Sequence, residues 1–128
     1  MDSNHRPNAK HQALIERRAR MLETATRCIL DLAPETTAIW CYGINALQPE
    51  RPGNDWDFMA FVEDSCSVER LNQLNDLEGP LSELRQIGTQ SLDVQAMRNS
   101  DTSECARLVR SEGFCIWHKL ATLNQHAA

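Results

Sequence analysis

The sequence has five cysteines, but no two of them form a C-x-x-C pair, and their number is odd. Neither a zinc site nor a disulfide framework is therefore indicated, and buried free thiols are expected. The histidines lie near the two ends of the sequence, which argues against a histidine-based metal or nucleophile site. The cysteines are Cys28, Cys41, Cys66, Cys105 and Cys115, and the histidines are His5, His11, His118 and His126.

A long apolar run and a cleavable N-terminal signal are also missing. No segment approaches the roughly 20 apolar residues that a membrane-spanning helix needs, so a cytoplasmic protein without a membrane partner is expected. Positive charge is scarce as well, because 18 Asp and Glu outnumber 13 Lys and Arg and give a net charge of -5. This balance argues against adhesion to a nucleic-acid backbone.

What is present is the composition of one globular domain. The chain has 128 residues, of which 41% are hydrophobic and 24% are charged. That is enough apolar material for a core, and the length fits a single domain. Residues 1–8 and 118–128 are polar and are expected to be flexible tails on a domain that covers residues 9–117.

The spacing of apolar residues divides this domain into alternating helices and strands. Residues 9–32 carry apolar side chains at three- and four-residue steps, which predicts an amphipathic helix that ends before Pro34. Apolar runs at 36–42, 56–62 and 92–97 predict strands, and residues 114–117 predict a short fourth one. The order predicts an α/β (α+β) fold, with helices packed on a mixed sheet of about four strands.

Several residues mark the expected ends of the shorter helices. Ser67 can cap a helix whose apolar face includes Leu77, and the stripe continues through Leu81, Leu84 and Ile87. A later helix has Asp101 and Glu104 at the spacing of a capping box, with Cys105, Leu108 and Val109 on one face. Gly113 stands where a helix C-terminus favours a left-handed residue.

Three aspartates interrupt the apolar strands. Asp55 and Asp57 begin the second strand, and side-chain alternation places them on one side, roughly 7 Å apart at Cα. Asp93 is the only charged residue in the following strand, where an unpaired buried carboxylate would be costly. Carboxylates of this kind suit magnesium, which completes its shell with water and substrate phosphates. Spacing alone leaves open a turn cap at Asp55 and a buried hydrogen bond at Asp93.

The region around these acids resembles the minimal nucleotidyltransferase family, which is related to polymerase β-type transferases. Cys41–Gly43 and Asn54–Phe58 look like the family's strand, glycine turn and aspartate pair. Leu92–Val94 resembles the strand that carries the third acid, and Leu108–Trp117 resembles the closing element. The likeness covers roughly residues 36–117.

This resemblance implies a nucleotidyltransferase-like fold and a Mg²⁺-dependent (or Mn²⁺-dependent) enzyme. Such an enzyme transfers a nucleoside monophosphate, here AMP from ATP, to a hydroxyl of a protein or small molecule. Asp55, Asp57 and Asp93 would be the catalytic acids and metal ligands, and Asp93 could also remove the acceptor proton. Single-domain members often act on a helical partner protein, which is therefore an expected partner.

The nucleotide-binding side departs from the family pattern. By resemblance the triphosphate would lie against Gly43 and Ile44, with Arg51 as the nearest cation. However, Ile44 stands where the family has a serine, and isoleucine offers no hydroxyl to a phosphate. A catalytically weak or silent binding module of antitoxin type is therefore an alternative, and Arg51 could equally be a solvated loop residue.

Two other aspartate-based enzyme classes fit less well. Metal-dependent glycosyltransferases also use a D-x-D motif, but their sugar-nucleotide lobes exceed 128 residues. Haloacid-dehalogenase-type phosphatases need threonine or valine where this chain has Met59. The three tryptophans, at positions 40, 56 and 117, are expected in the core rather than on a base-stacking surface.

Overall fold

The computed structural model describes residues 9–43 and 55–119. Three α-helices, five strands and one 3₁₀ helix alternate along these two ranges. In chain order they are α1 (Ala9–Leu32), β1 (Thr36–Tyr42), β2 (Asp55–Val62), α2 (Val68–Asn75), a 3₁₀ helix (Pro80–Glu83), β3 (Gln86–Ile87), β4 (Gln90–Arg98), α3 (Glu104–Glu112) and β5 (Phe114–His118).

The strands form one mixed sheet in the order β3-β4-β2-β1-β5. The neighbouring strands β2 and β4 run parallel, and the other three pairs are antiparallel. The expected α/β fold with a mixed sheet is thus confirmed. The sheet has one strand more than the four predicted. This additional strand is β3, which has two residues and forms a hairpin with β4 through a turn in which Gly88 has φ +60°. Ile87, expected on a helix, lies in this strand.

One face of the sheet is covered by α1. Met21, Ala25 and Ile29 follow one another at four-residue steps, so they form a single buried stripe on the helix. Alternate residues of β2 meet this stripe in the larger core cluster, together with residues of α2 and the 3₁₀ helix. The β2 residues in this cluster are Trp56, Phe58, Ala60 and Val62.

The opposite face of the sheet is covered only in part, by α3. Ala106 and Val109 pack there against Met59 and Phe61 of β2. The predicted apolar face of this helix was wrong in part, because Leu108 is 49% exposed and Cys105 is exposed as well. The buried pair has three-residue spacing, and its small side chains let the helix approach the sheet closely.

The residues that cap the two shorter helices are both serines, and only one of them was predicted. Ser67 caps α2 as expected, since its hydroxyl accepts a hydrogen bond from the Arg70 N–H at 3.0 Å. The cap of α3 is Ser103, which accepts from the Ala106 N–H at 3.3 Å. Asp101 instead accepts from the Ser103 N–H at 2.8 Å, so the predicted capping box at this position was wrong.

Gly113 corrects a second prediction about helix ends. Its backbone is extended, with φ -91° and ψ -176°, and not left-handed. A Cβ at this position would lie 2.6 Å from the carbonyl oxygens of Cys41 and Val109. Glycine is needed because the end of α3 passes directly over β1, which no local signal reveals.

Two of the remaining expectations concern exposure. Leu77 is 83% exposed and contributes nothing to the core, because α2 ends at Asn75 and the chain turns away. Cys41 is buried, but Cys105 and Cys115 are exposed, so buried thiols were predicted wrongly for these two.

No helix in the two described ranges has an apolar stretch long enough to cross a membrane. Of the tails expected at 1–8 and 118–128, only His118, the last residue of β5, and Lys119 lie among the described residues.

Replacing Ile29 with alanine should lower the free energy of unfolding by about 2 to 5 kcal/mol, because a fully buried side chain between α1 and the sheet leaves a cavity. Ile15→Ala on the same helix is the control, since Ile15 is 47% exposed and its loss should change stability by about 0.5 kcal/mol or less. Urea unfolding measures both. Equal effects would contradict the placement of α1.

Candidate functional site

The structure brings the three predicted acids to one face of the sheet. Asp57 of β2 lies directly opposite Asp93 of β4, and Asp55 lies opposite Ser91. Residues paired across neighbouring strands are about 4.8 Å apart and point to the same side of the sheet. Asp55, Asp57 and Asp93 therefore form a cluster, called the acid face below, on the side of the sheet that also carries α3.

The acid face lies beyond the part of the sheet that α3 covers. In β2, Met59 and Phe61 continue the row of Asp55 and Asp57, and these two apolar residues are the ones packed under α3. Asp57 is consequently half-buried, while Asp55 and Asp93 are exposed. Buried apolar residues and solvated acids thus share one face because α3 stops short of the beginning of β2.

The electrostatics of the acid face favour a cation. Burial raises the pKa of Asp57 above its ordinary value of 3.8, and the negative charges of Asp93 and then Asp55 raise it further. The two neighbouring charges therefore make ionisation of Asp57 harder. A divalent cation would reverse this effect, so the chemistry of the donor set fits Mg²⁺.

These carboxylates do not enclose a metal site by themselves. Across residues 9–43 and 55–119, no group of three or more His, Cys, Asp or Glu side chains is arranged to hold a metal ion alone. Magnesium is commonly held by one or two carboxylates, with water and substrate phosphates as the other ligands. The acid face fits this second type of site, in which a nucleotide supplies part of the shell.

Gly43 forms one border of the acid face. It follows β1 with φ +82°, a conformation that side-chain-bearing residues rarely adopt. A Cβ at Gly43 would collide with Oδ2 of Asp57, so the lack of a side chain lets the turn lie directly against this carboxylate. The other two predicted nucleotide-binding residues, Ile44 and Arg51, lie outside the described residues.

Tyr42 also belongs to this site, and the sequence reasoning missed it. It pairs with Asp57 across β1 and β2 and is half-buried. Burial raises the pKa of Tyr42 to about 12, with further contributions from Asp57 and Asp93, so the phenol keeps its proton at neutral pH. Ala38, Trp40 and Tyr42 alternate along β1 and all lie on the α3 side of the sheet. This two-residue spacing is the signal that could have identified Tyr42.

The tryptophans do not form a base-stacking surface. Trp56 is only 6% exposed and lies on the opposite side of the sheet from Asp55 and Asp57. Its indole N–H donates to Oε1 of Gln90 at 2.7 Å, and the Arg18 guanidinium lies 5.1 Å from its ring centre. The predicted core role is confirmed for Trp56, and the other two tryptophans are half-buried.

Solved structures with a similar fold include two toxin–antitoxin complexes. A structure described as a toxin–antitoxin with AMP-PNP matches with a TM-score of 0.54 and 15% sequence identity over 83% of this chain and 88% of that chain. A tri-AMPylated Shewanella oneidensis HEPN toxin in complex with MNT antitoxin matches with a TM-score of 0.48 and 15% identity over 81% and 75% of the two chains. No family model and no curated protein matches the sequence.

These comparisons bear on the fold. The five-stranded mixed sheet with helices on both faces has the architecture of an α/β nucleotidyltransferase-like fold, as the sequence predicted. The first match shows that a chain of a toxin–antitoxin complex shares this fold at low identity. A shared fold does not determine activity, which depends on the residues of the acid face.

Gly43→Ala should displace the Asp57 carboxylate, whereas Gly88→Ala should displace nothing. Both glycines have positive φ, so each alanine costs about 1 to 2 kcal/mol of backbone strain, but a Cβ at Gly88 meets no atom within 4 Å. We expect the effect of Gly43→Ala on unfolding to depend on Asp57→Ala, with a coupling of about 0.5 kcal/mol or more. Gly88→Ala should show no such coupling. Additive effects at Gly43 in a urea double-mutant cycle would disprove the contact.

Asp57→Asn should stabilise the metal-free protein at neutral pH. Because the pKa of Asp57 is raised on folding, the folded state holds a proton that the unfolded state releases above pH 3.8. Ionisation therefore lowers stability as pH rises from 3.8 through the folded pKa, and asparagine removes this loss. Thermal unfolding in EDTA between pH 4 and pH 8 should show a gain that grows with pH.

The control for this pH series is Asp31→Asn, an exposed position on α1 that is not part of the acid face. It should give no gain in melting temperature that grows with pH. A destabilised Asp57→Asn protein at pH 8 would show that the carboxylate is held by a favourable interaction rather than strained by its neighbours.

Proposed function

We propose that this protein is a Mg²⁺-dependent nucleotidyltransferase that transfers AMP from ATP to a hydroxyl group of a partner protein. The observation that carries the proposal is the register of β2 and β4, which sets Asp57 opposite Asp93 beside the turn at Gly43. Three carboxylates at one partly open end of a sheet match what a metal–triphosphate complex requires.

The residues of the chain would divide the work as follows. Asp55 and Asp57 would hold the magnesium ion, and Asp93 on the neighbouring strand would ligate it or help remove the acceptor proton. Bound magnesium supplies positive charge to the oxygens of the triphosphate. The turn at Gly43 lies directly against the Asp57 carboxylate, so a phosphate bound at this turn would lie next to the metal ligands.

The proposed transfer is a displacement at the α-phosphorus of ATP. The acceptor hydroxyl oxygen forms a bond to this phosphorus, the bond to the β-phosphate bridging oxygen breaks, and pyrophosphate leaves with the bond electrons. The hydroxyl proton passes to a carboxylate of the acid face, for which exposed Asp93 is suited, since it lies on the strand nearest the open edge of the sheet.

A protein is favoured as the acceptor because of where the shared fold occurs. The solved structure with the higher similarity is a toxin–antitoxin with AMP-PNP, so an adenine nucleotide and a protein partner occur together there.

A second function, a silent binding module of the same fold, is favoured by one observation. Ile44 gives the phosphate-binding turn no hydroxyl.

Incubation with α-labelled ATP tests the enzymatic proposal. In the presence of Mg²⁺ and proteins that co-purify with the full chain, label should be transferred to one of them, and EDTA should abolish the transfer. Asp57→Asn should reduce labelling by about 100-fold or more, the scale on which loss of one charge-stabilising group acts. Asp31→Asn, an exposed acid on α1, is the matched control and should keep full activity.

Two results would contradict the proposed enzymatic activity. Labelling that survives Asp57→Asn would remove the acid face from the reaction. A large gain of ATP affinity in Ile44→Ser, measured by calorimetry, would indicate a decayed nucleotide site and favour the silent module. For an active enzyme adapted to isoleucine, we expect Ile44→Ser to give equal or weaker labelling.

A further inference from the structure

The outer edge of β4 is occupied at two positions and open at the position between them. The Leu92 N–H donates to the Arg85 carbonyl at 2.8 Å. At Ala96 the N–H donates to Asn75 Oδ1 at 2.7 Å and the carbonyl accepts from Asn75 Nδ2 at 2.9 Å, so this side chain imitates a paired strand. Because alternate residues of a strand present their peptide groups to the same edge, Val94 faces this edge too.

No described element pairs with Val94 on this side. The two-residue strand β3 reaches only Gln90 and Ser91 of β4, and β2 lies on the other side. Backbone N–H and C=O groups in a folded protein nearly always have partners, so an open pair at an edge is a ready position for an added strand.

A groove runs along this open edge. Its volume is about 670 Å³, and its walls are the end of α2 and the 3₁₀ helix on one side and β4 on the other. Leu74 and Leu81 form a buried apolar floor, while Leu77, which contributes nothing to the core, stands at the wall with 83% of its surface exposed. Asp93 of the acid face lines the same groove.

We infer that this groove binds an extended segment of the acceptor protein, which pairs with Val94 as one added residue of strand. The inference rests on the proposed function and names how the substrate is held. The N–H and C=O of one peptide residue would bond to the C=O and N–H of Val94. This is the known mode of peptide recognition by strand addition, with side-chain pockets providing specificity.

Strand geometry then predicts the sequence that the groove prefers. The residue opposite Val94 has its side chain on the α1 side of the sheet, where Val94, Leu74 and Leu81 belong to one apolar cluster. Its neighbour in the peptide points to the opposite side, next to Asp93. An apolar residue adjacent to serine, threonine or tyrosine therefore places the acceptor hydroxyl at the acid face.

A peptide is favoured over a second copy of this chain. Between Leu92, which bonds to Arg85, and Ala96, which bonds to Asn75, Val94 alone is open along the described edge, so two copies of β4 could not pair over a continuous stretch. Asp76 and Asp93 line the groove, while the Arg85 guanidinium is bonded to the carbonyls of Ser82 and Leu77. A segment with positive charge near the apolar residue fits this environment.

The test uses the ¹⁵N-labelled full chain, without nucleotide, and the peptide acetyl-Lys-Thr-Leu-Thr-Lys-amide. The peptide should bind saturably and slow hydrogen exchange of the Val94 amide by about tenfold or more. Methylating the leucine nitrogen should weaken binding about tenfold, the effect of losing one or two hydrogen bonds. Methylating the following threonine nitrogen, which points away from the edge, is the control and should change affinity less than about twofold.

Protein variants test the wall of the groove in the same way. Leu77→Lys should weaken peptide binding about tenfold, since it sets a charge where an apolar side chain would pack and repels the lysines of the peptide. Val68→Lys is the matched control, because Val68 is an exposed apolar residue at the other end of α2, 60% exposed and outside the groove. Both substitutions are at exposed sites and should leave the melting temperature nearly unchanged.

Three outcomes would overturn the inference. They are equal binding of the leucine-methylated peptide, no saturable effect at the Val94 amide up to millimolar peptide, and protection of Val94 that rises with protein concentration alone in a sedimenting dimer. Failure of the proposed function would look different, because peptide would then bind without transfer of label from ATP. Transfer of label that Leu77→Lys leaves unchanged would reject this docking surface alone.

Discussion

The in-register parallel pairing of β2 with β4 is the constraint on which the site depends. A shift of one residue in this register would send Asp93 to the α1 face, where a charge among buried apolar residues is strongly disfavoured. The apolar residues of both strands therefore fix the position of the acids: Phe58 pairs with Val94, and both must meet α1. Core packing on one face determines the charge cluster on the other.

The acid face is held together against its own electrostatics. Asp57 is half-buried and lies opposite a second carboxylate, a combination that lowers stability when both are ionised. The cores on both sides of the sheet tolerate it, since Ile29, Phe58 and Phe61 are fully or almost fully buried. Repulsion between carboxylates at one end of a well-packed sheet is typical of sites that bind a cation or a charged ligand.

Much of this arrangement could be predicted from the sequence, because its signals are local. The four-residue stripe of α1, the apolar strands and the same-side placement of Asp55 and Asp57 follow from periodicity alone. What could not be predicted depends on contacts between distant segments. Gly113 is glycine because Cys41 passes over it, and Tyr42 joins the site because β1 pairs with β2. The two-residue strand β3 is too short for any period to show.

Asp93 connects the acid face with the groove, since β4 carries Asp93 on the acid face and has an open edge at Val94. Strand alternation links these features: a chain added at the edge must direct every second side chain towards the acids. Selection of an acceptor would then need no second domain, which suits a chain whose described residues form one sheet. The 3₁₀ helix and Asn75 leave Val94 open, and under the proposed function an extended substrate paired there would lie next to Asp93.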